Sequence, residues 1–322
     1  MVLAAAAILL GFIVLVWSAD KFVDGAAATA SHFGMPSLLV GMVIVGFGTS
    51  APEMVVSAMA ALDGKPDLAL GNALGSNIVN TGLILGVTAI ITPILVSSKM
   101  VHKEIPLLIA ICLLLGGLLW DGSLSRLDAI ILLVGFFTVI GWSIYSGLKN
   151  KDDSLSAEFE AELKEKAMPI GSAVFWLILG FALLLASSRL LVWGAVNVAH
   201  ALGVSDLIIG LTIVALGTSL PELAASVAAV RKGEHDIAIG NVVGSNMFNI
   251  LAVVGIAGVI APMPTFAPEV LTRDWTTMLG LTLLLLAMAF RFKKQGCINR
   301  VQGGVLLALF AAYNSYLVYS VI

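Results

Sequence analysis

The chain has 322 residues, of which 59% are hydrophobic and 11% charged, and its formal net charge is −3. Soluble domains carry about 25% charged residues, so this composition excludes an ordinary soluble protein and indicates an integral membrane protein. The slightly negative charge predicts no nucleic-acid partner, and the two cysteines, Cys112 and Cys297, give neither a disulfide framework nor a metal-binding spacing.

Ten apolar runs are long enough to cross a bilayer whose hydrocarbon core is about 30 Å thick. In chain order they are 3–30, 37–62, 68–91, 104–120, 126–148, 170–199, 205–230, 237–260, 274–291 and 302–321. No basic residues precede the first run, so we interpret it as a membrane span rather than a cleaved signal peptide. The sequence therefore predicts an all-α membrane protein with ten transmembrane helices.

The second half of the chain repeats the first. Residues 46–80 (GFGTSAPEMVVSAMAALDGKPDLALGNALGSNIVN) recur as residues 215–249 (ALGTSLPELAASVAAVRKGEHDIAIGNVVGSNMFN) at a constant offset of 169. Glycines outside this stretch also match, among them Gly25 with Gly194 and Gly86 with Gly255. Because each repeat has an odd number of spans, the second copy is inserted upside down, an inverted-topology architecture common in transporters.

Three segments follow from this pattern. We expect a first five-helix repeat at 1–148, a charged cytoplasmic connector at 149–169 and a second five-helix repeat at 170–322. Twelve Lys and Arg residues fall in the loops on one side of the predicted spans, and three fall on the other side: Lys65, Arg126 and Arg273. Because positively charged loops stay in the cytoplasm, both termini are predicted to lie outside it, with the protein in the cell inner membrane.

Each copy of the repeat places a carboxylate, two hydroxyls and a proline in the middle of a span. In the first copy these residues are Thr49, Ser50, Pro52 and Glu53, and in the second Thr218, Ser219, Pro221 and Glu222. Hydroxyls and carboxylate are three and four residues apart, which places their oxygens on one helical face. The proline lacks an N–H group and frees the backbone carbonyl four residues earlier. Each motif therefore gathers oxygen atoms at one depth.

The span that follows each motif carries amides and hydroxyls at intervals of four residues: Asn72, Ser76 and Asn80, then Asn241, Ser245 and Asn249. Sets of oxygen ligands suit hard cations such as Na⁺ and Ca²⁺. An ionised carboxylate at the centre of a span costs ~2.5–3.5 kcal/mol on insertion scales. No Lys or Arg is near either motif in the sequence, so we interpret the two glutamates as cation ligands rather than structural residues.

The segments GTSAPE with GNALGSNIVN, and GTSLPE with GNVVGSNMFN, closely resemble the motifs of the sodium/calcium exchanger family of the cation/Ca²⁺ antiporter superfamily. The chain is most similar to the short bacterial inner-membrane members. The resemblance implies exchange of Ca²⁺ for Na⁺ by alternating access. It also implies an ion-binding core made of the second, third, seventh and eighth spans, across which the first and sixth spans slide.

The resemblance also implies the ion ligands, which are Thr49, Ser50, Glu53, Ser76 and Asn80 in the first half and Thr218, Ser219, Glu222, Ser245 and Asn249 in the second. One departure is Asn249, where some family members have an aspartate. The resemblance implies no cofactor apart from the transported Ca²⁺ and Na⁺. The expected partners are the lipid bilayer and the transported cations, and the oligomeric state is left open.

Other functions share part of this chemistry. A Ca²⁺/H⁺ or K⁺-linked antiporter would use the same oxygens, and a cation channel would need a continuous pore through them. An intramembrane enzyme would need a nucleophile paired with a base, but no His or Lys lies near the motifs in the sequence. We therefore expect a transporter and no enzyme.

Overall fold

A computed structural model describes residues 2–33, 39–64, 66–149, 168–201, 215–290 and 296–321. The α-helices in this part of the chain are Val2–Phe33, Gly46–Thr49, Ala51–Leu62, Pro66–Ile78, Leu85–Ile91, Ile105–Leu118, Arg126–Lys149, Ile170–Ala201, Ala215–Thr218, Leu220–Arg231, His235–Phe248, Val254–Ile260, Thr276–Ala289 and Arg300–Val321. Wider π-helical segments occupy Val40–Val45, Val79–Ile84, Met100–Glu104, Asn249–Val253 and Val270–Trp275. Two short strands, β1 (Ile94–Val96) and β2 (Gly296–Ile298), pair antiparallel.

Where the structure describes them, the apolar runs of the sequence form helices, as predicted. Among the described residues, seven helices are long and apolar enough to cross a membrane, and Val40–Thr49 with Ala51–Leu62 makes an eighth that is interrupted at Ser50. The seventh predicted span, 205–230, begins outside the described residues. Most of the connector at 149–169 also lies outside them. The protein is therefore a multi-pass helical membrane protein, while the count of ten spans stays a prediction.

The chain forms two compact units. The first unit comprises Met1–Thr49 and Ile140–Asn241, and the second comprises Ser50–Val139 and Val242–Ile322. Each unit draws on both halves of the sequence, because the spans of an inverted repeat can pack on spans of the other copy. The predicted division of the chain into repeats at 1–148 and 170–322 remains a prediction.

In the first unit, two helices of 32 residues, Val2–Phe33 and Ile170–Ala201, pack along each other. A Cβ atom at Gly25 would lie 2.8 Å from the carbonyl oxygen of Ala173, and one at Gly194 would lie 2.7 Å from that of Ala4. These two glycines match each other in the sequence repeat. Their lack of a side chain lets the backbones of the two helices approach closely.

The acidic residues inside the first predicted span pair with Lys232, although Asp20 is exposed. Lys232, just after the helix Leu220–Arg231, places its Nζ atom 2.7 Å from Oδ1 of Asp24 and donates to the backbone carbonyl of Asp20 at 3.1 Å. Lys21 adds a longer ion pair to Asp24 at 3.9 Å. These contacts lie within the first unit and join its first helix to the turn that follows Leu220–Arg231.

In the second unit, Gly86 and Gly255, which also match each other in the sequence repeat, lie at close contacts between helices. A Cβ atom at Gly86 would lie 2.8 Å from Cγ of Leu307, in the helix Arg300–Val321. One at Gly255 would lie 2.9 Å from Cγ of Leu133, in the helix Arg126–Lys149. The contacts at Gly86 and Gly255 therefore place corresponding parts of the two sequence copies against the last span of the opposite repeat.

Candidate functional site

The helix that carries the first motif breaks at Ser50. A short helix ends at Thr49, Ser50 adopts φ −81° and ψ −1°, and the next helix begins at Ala51 with Pro52 in its first turn. Proline is tolerated there because the first N–H groups of a helix have no partner within that helix. Thr49 and Glu53, which helical spacing predicts on one face, therefore belong to two helices joined at Ser50.

The second motif breaks in the same way. Ser219 adopts φ −92° and ψ 6° between the helices Ala215–Thr218 and Leu220–Arg231, and Pro221 lies in the first turn of the latter. Glu53 and Glu222 each fall in the first turn of the new helix. The positive end of the helix dipole stabilises an ionised carboxylate at this position, so each break supplies local compensation for one of the two buried charges.

In the first unit, Asn241 connects three groups of the motifs. Its Oδ1 atom accepts a hydrogen bond from the hydroxyl of Thr49 at 3.1 Å, and its Nδ2 atom donates to Oγ of Ser226 at 2.9 Å. Nδ2 also donates to the backbone carbonyl of Glu222 at 3.1 Å. These bonds fix the rotamer of Thr49 and the backbone that carries Glu222.

In the second unit, Asn72 makes the bond that corresponds to the Asn241–Ser226 bond. Its Nδ2 atom donates to Oγ of Ser57 at 3.1 Å, and Ser57 lies in the same helix as Glu53. The same amide-to-hydroxyl bond therefore holds the carboxylate-bearing helix to the following span in both copies of the repeat.

Two of the predicted ligands lie at π-helical segments of the second unit. Asn80 is in Val79–Ile84 and Asn249 begins Asn249–Val253, at matching positions of the repeat. The amide nitrogen of Asn80 donates to Oδ1 of Asn246 at 3.1 Å, and that of Asn249 donates to Oδ1 of Asn77 at 3.1 Å. Among the described residues, no hydrogen bond reaches Oδ1 of either Asn80 or Asn249, although both atoms are buried.

The ten predicted ligands divide between the units. Ser50, Glu53, Ser76, Asn80, Ser245 and Asn249 belong to the second unit, whereas Thr49, Thr218, Ser219 and Glu222 belong to the first. Nine of the ten side chains are buried and Thr218 is half-buried. Burial of so many oxygen-bearing side chains in membrane helices is costly unless they bond to each other or to an ion.

Sequence reasoning missed Asn77 and Asn246. Both are 1% exposed, and each accepts the amide of a predicted ligand from the other copy of the repeat. The spacing of four residues used to choose the ligands includes Ser76 and Asn80 but not Asn77. The signal that could have found these residues is the repeat itself, because Asn77 and Asn246 match at the offset of 169.

Both motifs carry the oxygen chemistry that hard cations favour. Glu53 and Glu222 are each buried in the first turn of a helix. Neutral hydroxyl and amide oxygens lie near these carboxylates in the sequence. Na⁺ and Ca²⁺ favour oxygen ligands of this kind.

Comparisons with known proteins agree with this chemistry. The profile of the family described as sodium/calcium exchanger protein matches residues 3–145 and 172–319. The chain is 48% identical over 321 residues to the putative antiporter CaxA of Alkalimonas amylolytica, covering 99% of this chain and 100% of that protein. It is 39% identical over 302 residues to the inner membrane protein YrbG of Escherichia coli K12, covering 92% of this chain and 91% of the relative.

A solved structure has the same fold. The sodium-calcium exchanger NCX_Mj, soaked with Na⁺ and Sr²⁺, superposes with a TM-score of 0.84 at 31% sequence identity. The superposition covers 98% of this chain and 98% of that one. The likeness therefore extends over both copies of the repeat.

Proposed function

Because the chain belongs to the sodium/calcium exchanger family of membrane antiporters, we propose that it exchanges Ca²⁺ for Na⁺ by alternating access. The ions bind at a site near the middle of the membrane whose ligands are all oxygen atoms. The proposed ligands are Thr49, Ser50, Glu53, Ser76, Asn80, Thr218, Ser219, Glu222, Ser245 and Asn249.

The observation that carries the proposal is the pair of buried carbonyl oxygens on Asn80 and Asn249. In the described part of the chain neither Oδ1 atom accepts a hydrogen bond, while both amide nitrogens are bonded to protein. An unsatisfied buried acceptor costs about 1–3 kcal/mol. A coordinated cation would remove this cost, and the two matching oxygens would supply part of its ligand shell.

The charge of the proposed ligand set fits its cargo. Glu53 and Glu222 are the carboxylates of the set, and both are 1% exposed. One Ca²⁺ or two Na⁺ would neutralise two ionised carboxylates. Either load would lower the cost of burying the two carboxylates in the membrane interior.

The proposed topology has ten spans in two inverted repeats, with both termini outside the cytoplasm. Contacts within the second unit support it. Strands β1 and β2 pair Ile94 with Ile298, and the loops that contain them are predicted to lie on the cytoplasmic side. Leu124 bridges to Met263, and the loops of these two residues are predicted to lie on the opposite side.

Alternating access requires spans that can move past others. The helices Val2–Phe33 and Ile170–Ala201, which correspond to the first and sixth predicted spans, meet at the close contacts of Gly25 and Gly194. A pair packed this closely can move as one body. We propose that this pair slides to expose the site to each side of the membrane in turn.

A gradient experiment tests the function. The purified protein is reconstituted into vesicles, and uptake of radioactive Ca²⁺ is measured with an outward gradient of Na⁺, of K⁺ or of H⁺, with Glu53→Gln as the inactive control. We expect uptake driven by the Na⁺ gradient alone. Uptake driven by a gradient of H⁺ or K⁺ instead would show that this ion, and not Na⁺, is exchanged for Ca²⁺. Ca²⁺ entry without any counter-ion would indicate a channel.

A further inference from the structure

Four buried asparagines of the second unit form one hydrogen-bonded group, which we name the asparagine quartet: Asn77, Asn80, Asn246 and Asn249. Each is 1% exposed or less. Two of them, Asn80 and Asn249, are proposed ion ligands. The other two lie three residues earlier in their respective copies of the repeat and have no role in the function proposed above.

The bonds of the quartet cross between the copies. Asn246, in the second copy, accepts the amide of Asn80, and Asn77, in the first copy, accepts the amide of Asn249; both distances are 3.1 Å. An asparagine side chain has a donor end and an acceptor end. Because the donor end of each ligand asparagine is bound in this way, the acceptor end is the one left for an ion.

The two accepting residues are anchored in turn. The amide of Asn246 donates to Oγ1 of Thr81 at 2.9 Å. The amide of Asn77 donates to the backbone carbonyl of Asn246 at 3.2 Å and approaches Sδ of Met278 at 3.2 Å. With their own amides committed to these acceptors, Asn77 and Asn246 can only turn their oxygens toward the ligand asparagines.

We propose that Asn77 and Asn246 are positioning residues that fix which end of Asn249 and Asn80 faces the transported cation. The inference rests on the proposed function, because it assigns the carbonyl oxygens of Asn80 and Asn249 to ion binding. An asparagine rotated by half a turn would direct its NH₂ group, which carries partial positive charge, at the cation and repel it. The quartet prevents this rotation in both copies, and Thr81 is the anchor of the Asn80 arm.

A purely structural role predicts something different. If the quartet only held the helices together, removal of one bond would lower the stability of the protein and slow transport. It would not produce a loss of Ca²⁺ affinity that depends on Asn80. Thr81 separates the two cases because it bonds to Asn246, and valine has the shape of threonine without its hydroxyl. Thr81 is 1% exposed and is not itself among the proposed ligands.

The experiment compares Thr81→Val with Thr81→Ser, which keeps the hydroxyl. Thr282→Val is the matched control, because Thr282 is also 1% exposed and its hydroxyl bonds to the carbonyl of Met278 in its own helix. The measurements are the KM for Ca²⁺ in vesicles and the Ca²⁺ affinity of the solubilised protein by calorimetry. We expect Thr81→Val to raise the KM about tenfold and to lower the Ca²⁺ affinity about tenfold. This is the lower end of what loss of a residue that supports a ligand costs a metal site. Thr81→Ser should recover most of this loss, and Thr282→Val should change neither quantity.

A double-mutant cycle with Asn80→Ala completes the test, read as Ca²⁺ affinity by calorimetry. If Thr81 acts through the orientation of Asn80, Thr81→Val weakens binding no further once the amide of Asn80 is gone. Equal effects of Thr81→Val in the two backgrounds, or an effect no larger than that of Thr282→Val, would overturn the proposal. Absence of Ca²⁺ transport by the wild type under every gradient would instead refute the proposed function.

Discussion

The hydroxyl of Thr49 donates to the amide oxygen of Asn241 at 3.1 Å, across 192 residues of sequence. Asn241 also bonds to Ser226 and to the backbone of Glu222. A side chain outside the predicted ligand set therefore holds one predicted ligand directly and supports the helix of another. The first prediction follows from this connection.

Asn241→Leu is expected to lower the free energy of unfolding by about 2–4 kcal/mol, because it removes three hydrogen bonds from buried groups at once. Its repeat counterpart Asn72 is half-buried and bonds to Ser57, so Asn72→Leu is the matched control with an expected loss of about 1 kcal/mol. Thermal unfolding in detergent measures both. Equal melting temperatures for the two variants would contradict the role given to Asn241.

Glu53→Gln and Glu222→Gln are each expected to abolish Ca²⁺ exchange and to leave the fold intact. Glutamine has nearly the size of glutamate but lacks its charge, and loss of a buried charge in a membrane relieves a cost rather than adding one. Vesicle uptake and the melting temperature of each variant are measured beside Glu269→Gln, which alters an exposed carboxylate. Wild-type uptake by either purified variant would remove that glutamate from the ligand set.

The orientation predicts which residues a reagent can reach from outside the cell. Thr265 and Ser98 are both exposed and lie in loops predicted to be outside and cytoplasmic, respectively. In a background lacking Cys112 and Cys297, a membrane-impermeant thiol reagent should label Thr265→Cys in intact cells and label Ser98→Cys only after lysis. A reporter fused after Ile322 should likewise behave as periplasmic. The opposite labelling pattern would contradict the predicted orientation and indicate the inverse one.

Asn249→Asp is expected to make Ca²⁺ uptake more sensitive to acid. The new carboxylate can bind a proton in place of a cation, which asparagine cannot do. Protons would therefore compete with Ca²⁺ as the pH falls.

Initial uptake measured from about pH 8.5 down to pH 6 should therefore fall more steeply in this variant than in the wild type, whose Asn249 does not titrate. Asn314→Asp is a suitable control, because Asn314 is a half-buried residue of the last helix whose amide bonds to the carbonyl of Phe310. Superimposable normalised curves for wild type and Asn249→Asp would show that Asn249 does not contact the ions.

The sequence by itself determined the membrane-helical class, the family, and the positions of Glu53 and Glu222 in two matching motifs. These properties are local or additive: hydropathy accumulates along a run, and a repeat at constant offset is visible without any knowledge of contacts. The structure buries nine of the ten residues that the resemblance implies as ligands. The assignment of the ten as ligands stays a prediction.

Only the tertiary structure decided how the motif oxygens are held. It put a break at Ser50 where helical spacing predicts a continuous face, and it put π-helical turns at Asn80 and Asn249. It also chose the partners of their amides, Asn246 and Asn77. The direction in which an amide side chain turns depends on donors and acceptors brought close by packing. For Asn80 and Asn249 those groups lie more than 160 residues away along the chain, where no local pattern of sequence can specify them.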